Sequence, residues 1–299
     1  MNRSTEGTLD RIKEGNRSKR VLLPDGASVP QLGQGTWNMA EDAARREEEI
    51  AALRLGVELG MNLIDTAEMY GEGAAEELVG EAIRGIRDEV FLVSKVYPHN
   101  AGKGRLALSC EGSLKRLNTD RLDLYLLHWR GNIPLEETVA EMEKLVAQGK
   151  IARWGVSNLD TADMKALLQI TDGSHCVTNQ VLYHLGSRGI EYELLPWLRG
   201  RQIPVMAYSP LAQAGSLRKG LLENETVQKV AASHGVTPLQ ILLAWTLRDT
   251  DIIAIPKAST RNHVTENAAA NLITLDKEEQ LQLDAAFPPP SWKVPLDVI

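Results

Sequence analysis

Several features are scarce in this chain of 299 residues. It has two cysteines, Cys110 and Cys176, far apart and in no CxxC spacing. That gives no sign of a disulfide framework or a thiolate metal site, and it suits a reducing cytoplasm. No apolar run approaches the ~18–20 residues a membrane span requires. The opening segment MNRSTEGTLDRIKEGNRSKR has none of the apolar character of a signal peptide. Positive charge is not in excess either. The net charge is −7, which argues against general affinity for nucleic acid or anionic lipid. There is no HExxH, no His-x-His and no clustered carboxylate to hold an ion, so no metal is expected. The first glycine-rich segment, GQGTWN, lacks the GxGxxG spacing of a doubly wound dinucleotide-binding sheet.

What is present is enough apolar material for a core, 43% of the chain. Residues 1–20 read as a flexible tail and 21–299 as one domain. Pro24-Asp25-Gly26 between two short apolar pieces is a hairpin signature. Then short apolar runs recur: LGQGTW, MNLIDTA, VFLVSKV, LDLYLLHW, RWGVSNL, CVTNQV, PVMAYSPL and DIIAIPK. Between them lie segments of 3.6-residue periodicity, over Glu47–Leu59, Leu135–Gln148, Thr161–Leu168 and Thr226–His234. Nearly continuous apolar strands alternating with helices predict buried parallel strands with helical crossovers. The expected fold is an α/β protein, a single (β/α)8 barrel of the TIM type. It carries an N-terminal hairpin and extra C-terminal helices. The proline-rich end, FPPPSWKVPLDVI, reads as an extended tail lying across the barrel surface or mouth.

In such a barrel the C-terminal strand ends carry the chemistry. There the sequence places Trp37, Asp65 with Tyr70, Lys95, His128 with Trp129, Ser157 with Asn158, Asn179 with Gln180, Tyr208 and Lys257. Singly, each has a plainer explanation. Asp65 fits a turn cap, Lys95 a snorkelling strand end and His128 a core histidine. Jointly, Asp65, Tyr70, Lys95 and His128 fall on the ends of three successive strands, and partnership is the simpler account. A phenol has a reference pKa of ~10 and is a poor acid near neutrality unless its anion is stabilised. A lysine within hydrogen-bond reach would stabilise it and bring that pKa down, a carboxylate would hold the lysine, and a neutral imidazole would orient a substrate oxygen. The set therefore permits carbonyl reduction with hydride from a bound cofactor, since no side chain supplies hydride. A lyase using Lys95 as a Schiff-base nucleophile is the chemical alternative.

With LGQGTW, LIDTAEMYG, FLVSKVY, LDLYLLHW, RWGVSN, NQVLYH, MAYSPL and IPKAS in this order, the chain resembles the aldo-keto reductases from about residue 20 to its end. Within that family it looks most like small bacterial reductases of methylglyoxal and similar aldehydes. The resemblance implies Asp65, Tyr70, Lys95 and His128 as the catalytic tetrad, with Tyr70 as proton donor. It also implies a nicotinamide dinucleotide lying across the barrel mouth. Gly35, Thr36 and Asp65 would approach the nicotinamide, Tyr208 would stack on it, and Ser157, Asn158 and Gln180 would hold its carboxamide. Ser209 and Leu211 would approach the pyrophosphate. Lys257, Ser259 and Thr260 would hold the adenosine phosphate, with Glu266 and Asn267 near the adenine. Many NADPH-preferring members have arginine where this chain has His263. Here an arginine stands two residues earlier, at Arg261, and together with Lys257 it would select the 2′-phosphate. NADP(H) is expected over NADH. Trp37, Tyr97 and Trp129 would line a pocket for an aldehyde or ketone, with the role of Trp129 depending on how the strand ends. The short loop RGNIP implies an open pocket. The protein would act as a cytoplasmic monomer without nucleic-acid or membrane partners. The family also includes NADPH-binding regulatory subunits with little turnover, which is the functional alternative.

Overall fold

The computed structural model describes residues 3–213 and 215–299, with side chains from Gly7 onward. Strand β1 (Arg20–Leu22) pairs antiparallel with β2 (Ser28–Pro30) as the expected hairpin. Its turn needs a positive φ at Gly26, +87°, and the Asp25 carboxylate accepts from the Ala27 amide at 3.0 Å. The eight apolar runs each yield a strand: β3 (Gln34–Gly35), β4 (Leu63–Asp65), β5 (Phe91–Val96), β6 (Leu124–Leu127), β7 (Trp154–Ser157), β8 (Asn179–Leu182), β9 (Val205–Tyr208) and β10 (Ile252–Ile255). They are parallel and adjacent in chain order. The ring closes between first and last: the Gly33 amide donates to Ala254 O at 2.8 Å and the Gly35 amide to Pro256 O at 3.1 Å. Gly35 is glycine for a reason visible here. A Cβ on it would stand 2.7 Å from the Ile255 carbonyl oxygen, so any side chain would push the closing strands apart.

Two apolar clusters follow from strands buried on both faces. The larger lies between the ring and its helices. The smaller fills the ring with Leu63, Val93, Leu124, Leu126, Met206 and Ile253. Val21, Leu23 and Val29 of the hairpin belong to this inner cluster. Arg153, just ahead of β7, reaches Asp25 at 2.7 Å. The hairpin therefore stoppers the ring at the end where the strands begin.

The predicted helices form over Arg46–Glu58, Leu135–Ala147, Thr161–Leu167 and Glu225–His234. Further helices cover Ala74–Ala82, Arg105–Leu117 and Pro238–Thr246, the last apolar on nearly every side and so without a periodic face to detect. The extra C-terminal helices are Arg261–Ala270 and Lys277–Ala286. The expectation of a flexible start is corrected. Arg3–Ser18 is a helix, with residues 1 and 2 outside the described part. It docks through buried Ile12 and through Asn16, whose amide donates to Leu59 O and Ala268 O at 3.0 and 3.1 Å. A mostly polar composition hid this, because the anchor is a hydrogen-bonded asparagine beside a short apolar strip, Leu9 and Ile12. The C-terminal tail is extended as expected, tied by Asp297 to the Ser187 hydroxyl at 2.6 Å, and its Ile299 reaches the barrel mouth. No described helix is long and apolar enough to cross a membrane.

Candidate active site

A cleft of about 330 Å3 opens at the C-terminal end of the ring. At its floor is a lysine with no exposed surface. β5 runs Phe91–Val96 with side chains alternating between faces, so Lys95 points inward while Ser94 points out to the helices. The Lys95 ammonium donates to Asp65 Oδ2 at 2.6 Å, to Thr66 O at 2.9 Å and to the Tyr70 hydroxyl at 3.0 Å. All three of its donors are thus used, which is what permits a cation to be buried. Asp65 is 2% exposed, and its second oxygen accepts from the Gln180 amide at 2.8 Å.

The electrostatics follow from this packing. Burial works against the Lys95 charge, but Asp65 and Tyr70 outweigh it and hold its pKa above the ordinary lysine value. Burial pushes the Asp65 carboxyl up, with Lys95 and Gln180 offsetting part of the rise. For Tyr70 the structure corrects an expectation. Lys95 was expected to bring the phenol below its ordinary pKa. Burial instead dominates and raises it, Lys95 offsets part of that, and the Asp65 charge raises it again. The phenol is protonated at neutral pH, in the form that can donate.

His128 follows β6, which ends at Leu127. The strand's alternation stops there, so His128 and Trp129 both face the cleft although they are consecutive. Burial, then the Lys95 charge, drives the His128 pKa down to about 2. The ring is neutral at physiological pH, with one N–H donor and one acceptor. Its Nδ1 is buried without a partner, and its ring lies edge-on to Tyr70 with centroids 5.8 Å apart.

Around this centre Asn158 is held in a left-handed conformation, φ +58°. Its amide nitrogen donates to His128 O and Ser157 Oγ, both at 3.2 Å, and its oxygen accepts from the Tyr208 hydroxyl at 2.9 Å. Beyond Tyr208 the backbone is left-handed at Ser209 (φ +48°) and at Ala212 (φ +56°), a strained turn at the cleft wall. Gly35, Thr36, Trp37, Leu211 and Lys257 face the same cleft.

Not every expected residue does so. Tyr97 does not line the cleft; it is edge-on to Trp129 at 5.9 Å and stacked on His99. Ser259, Thr260 and Arg261 lie past Lys257, at the start of the Arg261–Ala270 helix, and Glu266 and Asn267 lie farther along it. Thr260 is that helix's N-cap, accepting from the His263 amide at 3.3 Å. Glu266 is engaged with Asn262 at 3.1 Å. Sequence reasoning missed Met69, Gln213, Arg218 and Ile299 as cleft residues. None sits at a strand end, and only the tail's expected path over the mouth pointed toward Ile299.

The residues present fit a long anionic ligand with a flat head. Tyr208 offers a ring beside the Ser157–Asn158 amide and hydroxyl pair. From the cleft, Lys257 leads to Ser259, whose buried hydroxyl has no partner, and to a helix N-terminus that favours negative charge.

Residues 31–287 match the sequence model of the aldo/keto reductase family. The chain is 58% identical to the methylglyoxal reductase YeaE of Escherichia coli (strain K12) over 283 residues, 95% of this chain and 100% of that protein. It is 33% identical to the glyoxal reductase of Bacillus subtilis (strain 168) over 268 residues, covering 89% and 91% of the two chains. Among solved structures, an aldo/keto reductase from Klebsiella pneumoniae in complex with NADP and acetate aligns with a TM-score of 0.92 at 59% identity, covering 94% of this chain and 99% of that one.

Proposed function

As the chain belongs to the aldo/keto reductase family, we propose that it reduces short aldehydes of the methylglyoxal class to alcohols, with Tyr70 as proton donor. The protein is an NADP-dependent oxidoreductase, and NADP(H) when bound supplies the hydride. In this reading Lys257, Ser259, Thr260 and Arg261 hold the adenosine phosphate, with Glu266 and Asn267 beside the adenine. Ser209 and Leu211 flank the pyrophosphate. Ser157, Asn158, Gln180 and Tyr208 hold the nicotinamide end, beside Gly35, Thr36 and Asp65.

The chain's own groups do the rest. Neutral His128 donates a hydrogen bond to the substrate carbonyl oxygen and fixes it against the Tyr70 hydroxyl. Tyr70 gives its proton to that oxygen as the carbonyl carbon is reduced. The phenolate left behind lies 3.0 Å from the Lys95 ammonium, which stabilises it, and Asp65 holds the ammonium in place. Trp37 and Trp129 supply flat apolar walls, so aromatic aldehydes are accepted as well. Two buried free thiols, Cys110 and Cys176, accord with a cytoplasmic setting, and the protein is read as a monomer.

The observation that carries this reading is the single buried lysine bonded to both the carboxylate and the phenol at the cleft floor. It is tested by following NADPH absorbance with methylglyoxal and with a nitrobenzaldehyde. Tyr70→Phe should abolish turnover and leave NADPH quenching of protein fluorescence intact. Normal turnover by the Phe variant would overturn the assignment.

A further inference from the structure

The geometry points to Glu68 and Glu76 as positioning residues that fix the Tyr70 hydroxyl against Lys95 by clipping the Tyr70 loop to β5 on either side of that lysine. The inference rests on the reading of Tyr70 as proton donor. The chain leaving β4 continues alongside β5 in steps of two: the Thr66 amide donates to Val93 O at 2.9 Å and the Glu68 amide to Lys95 O at 3.4 Å. There the backbone turns away toward Tyr70. The next rung is made by a side chain, because the Glu68 carboxylate accepts from the Tyr97 amide at 2.7 Å and from the Asn100 side chain at 3.3 Å.

On the far side of Tyr70 the loop needs holding. Gly71, Glu72 and Gly73 are all left-handed, at φ +56°, +52° and +96°, and Glu72 has no glycine freedom to excuse it. The helix that follows, Ala74–Ala82, carries Glu76, which is completely buried. Its two oxygens accept from Ser94 Oγ at 2.5 Å and from Arg116 Nε at 2.6 Å. Arg116 in turn packs where a Cβ on Gly73 would stand, 2.5 Å away, so a side chain at that position would displace the clip. The two carboxylates thus tie the loop to Ser94 within β5 and to Tyr97 just past its end, and Lys95 lies between them. Ser94 and Lys95 face opposite sides of β5, so the outer clip leaves the inner contact free of any extra charge at the cleft.

The experiment compares kcat, KM and NADPH affinity for Glu68→Ala, Glu68→Gln, Ser94→Ala and Tyr70→Phe. A positioning role predicts that Glu68→Ala lowers kcat by about tenfold or more, since small misplacements of a reacting group are costly. NADPH affinity should stay within about twofold and KM should change little, because neither clip touches a ligand. Glu68→Gln keeps an oxygen for the Tyr97 amide and should restore most of kcat. Ser94→Ala keeps the Glu76–Arg116 pair, so it provides a second, foldable test of the outer clip in the same direction. Unchanged kcat in Glu68→Ala and Ser94→Ala overturns the proposal, as does parallel loss of kcat and NADPH affinity. If Tyr70→Phe turns over normally, the proton-donor reading fails instead, and the two failures are distinguishable.

Discussion

Removing the Lys95 ammonium strands the Asp65 carboxylate, 2% exposed, with only the Gln180 amide for company. Breaking one side of a buried pair typically costs about 3–5 kcal/mol, whereas replacing both sides with neutral groups can cost little. Lys95→Met should therefore lose activity and a large part of its stability together. Adding Asp65→Asn should return stability in denaturant titrations without returning turnover. That separation checks whether the pair serves the phenol or merely the fold. At this scale much was legible. Asp65, Lys95, Tyr70 and His128 stand out because charged and polar side chains at the ends of apolar strands demand partners. The direction of the Tyr70 shift was not legible. It depends on how deeply the phenol sits, and no spacing in LIDTAEMYGEG encodes depth.

Among the elements, the strands were the readable ones, since each is a short apolar run cut by a turn. The helix Pro238–Thr246 was not singled out, because PLQILLAWT is apolar almost all round. The amino-terminal helix was misread for the opposite reason, as its apolar strip is only Leu9 and Ile12 and the rest of its attachment is polar. Asn16 donates to two carbonyls and accepts from the Asn271 amide at 3.0 Å, in a site with 1% exposure. Asn16→Ala would leave those partners unsatisfied, at a cost of about 1–3 kcal/mol. Thermal melts should show the loss, and proteolysis should reach residues 7–18 faster than in the parent protein.

For the molecule as a whole, acid is the predictable stress. His128 and His184 are both buried, and burial drives their pKa values to about 2 and about 4 respectively. In the unfolded chain a histidine titrates near ~6.5. Above that pH neither form binds the proton and neither residue affects the balance. As pH falls below it, the unfolded chain takes up protons that the folded chain refuses, so stability drops by about 1.4 kcal/mol per pH unit for each group. The His184 share stops growing near pH 4, where the folded form also protonates, while that of His128 continues to lower pH. Unfolding midpoints should hold level from pH 7.5 to about 6.5 and then fall toward pH 4.5, and His184→Asn should flatten that fall. A slope unchanged by that substitution would remove His184 from the account.

The stopper formed by β1 and β2 has a consequence for traffic. With the ring packed by Leu63, Val93, Leu124 and Leu126 and its far end closed by Val21, Leu23 and Val29, the cleft is a blind well with one doorway. Asp65 and Gln180 lie at its floor, each 2% exposed, while Trp37 stands at the doorway with 38% of its surface in solvent. Ligands therefore come and go through that doorway alone, and none is threaded through the barrel from the side away from the chemistry.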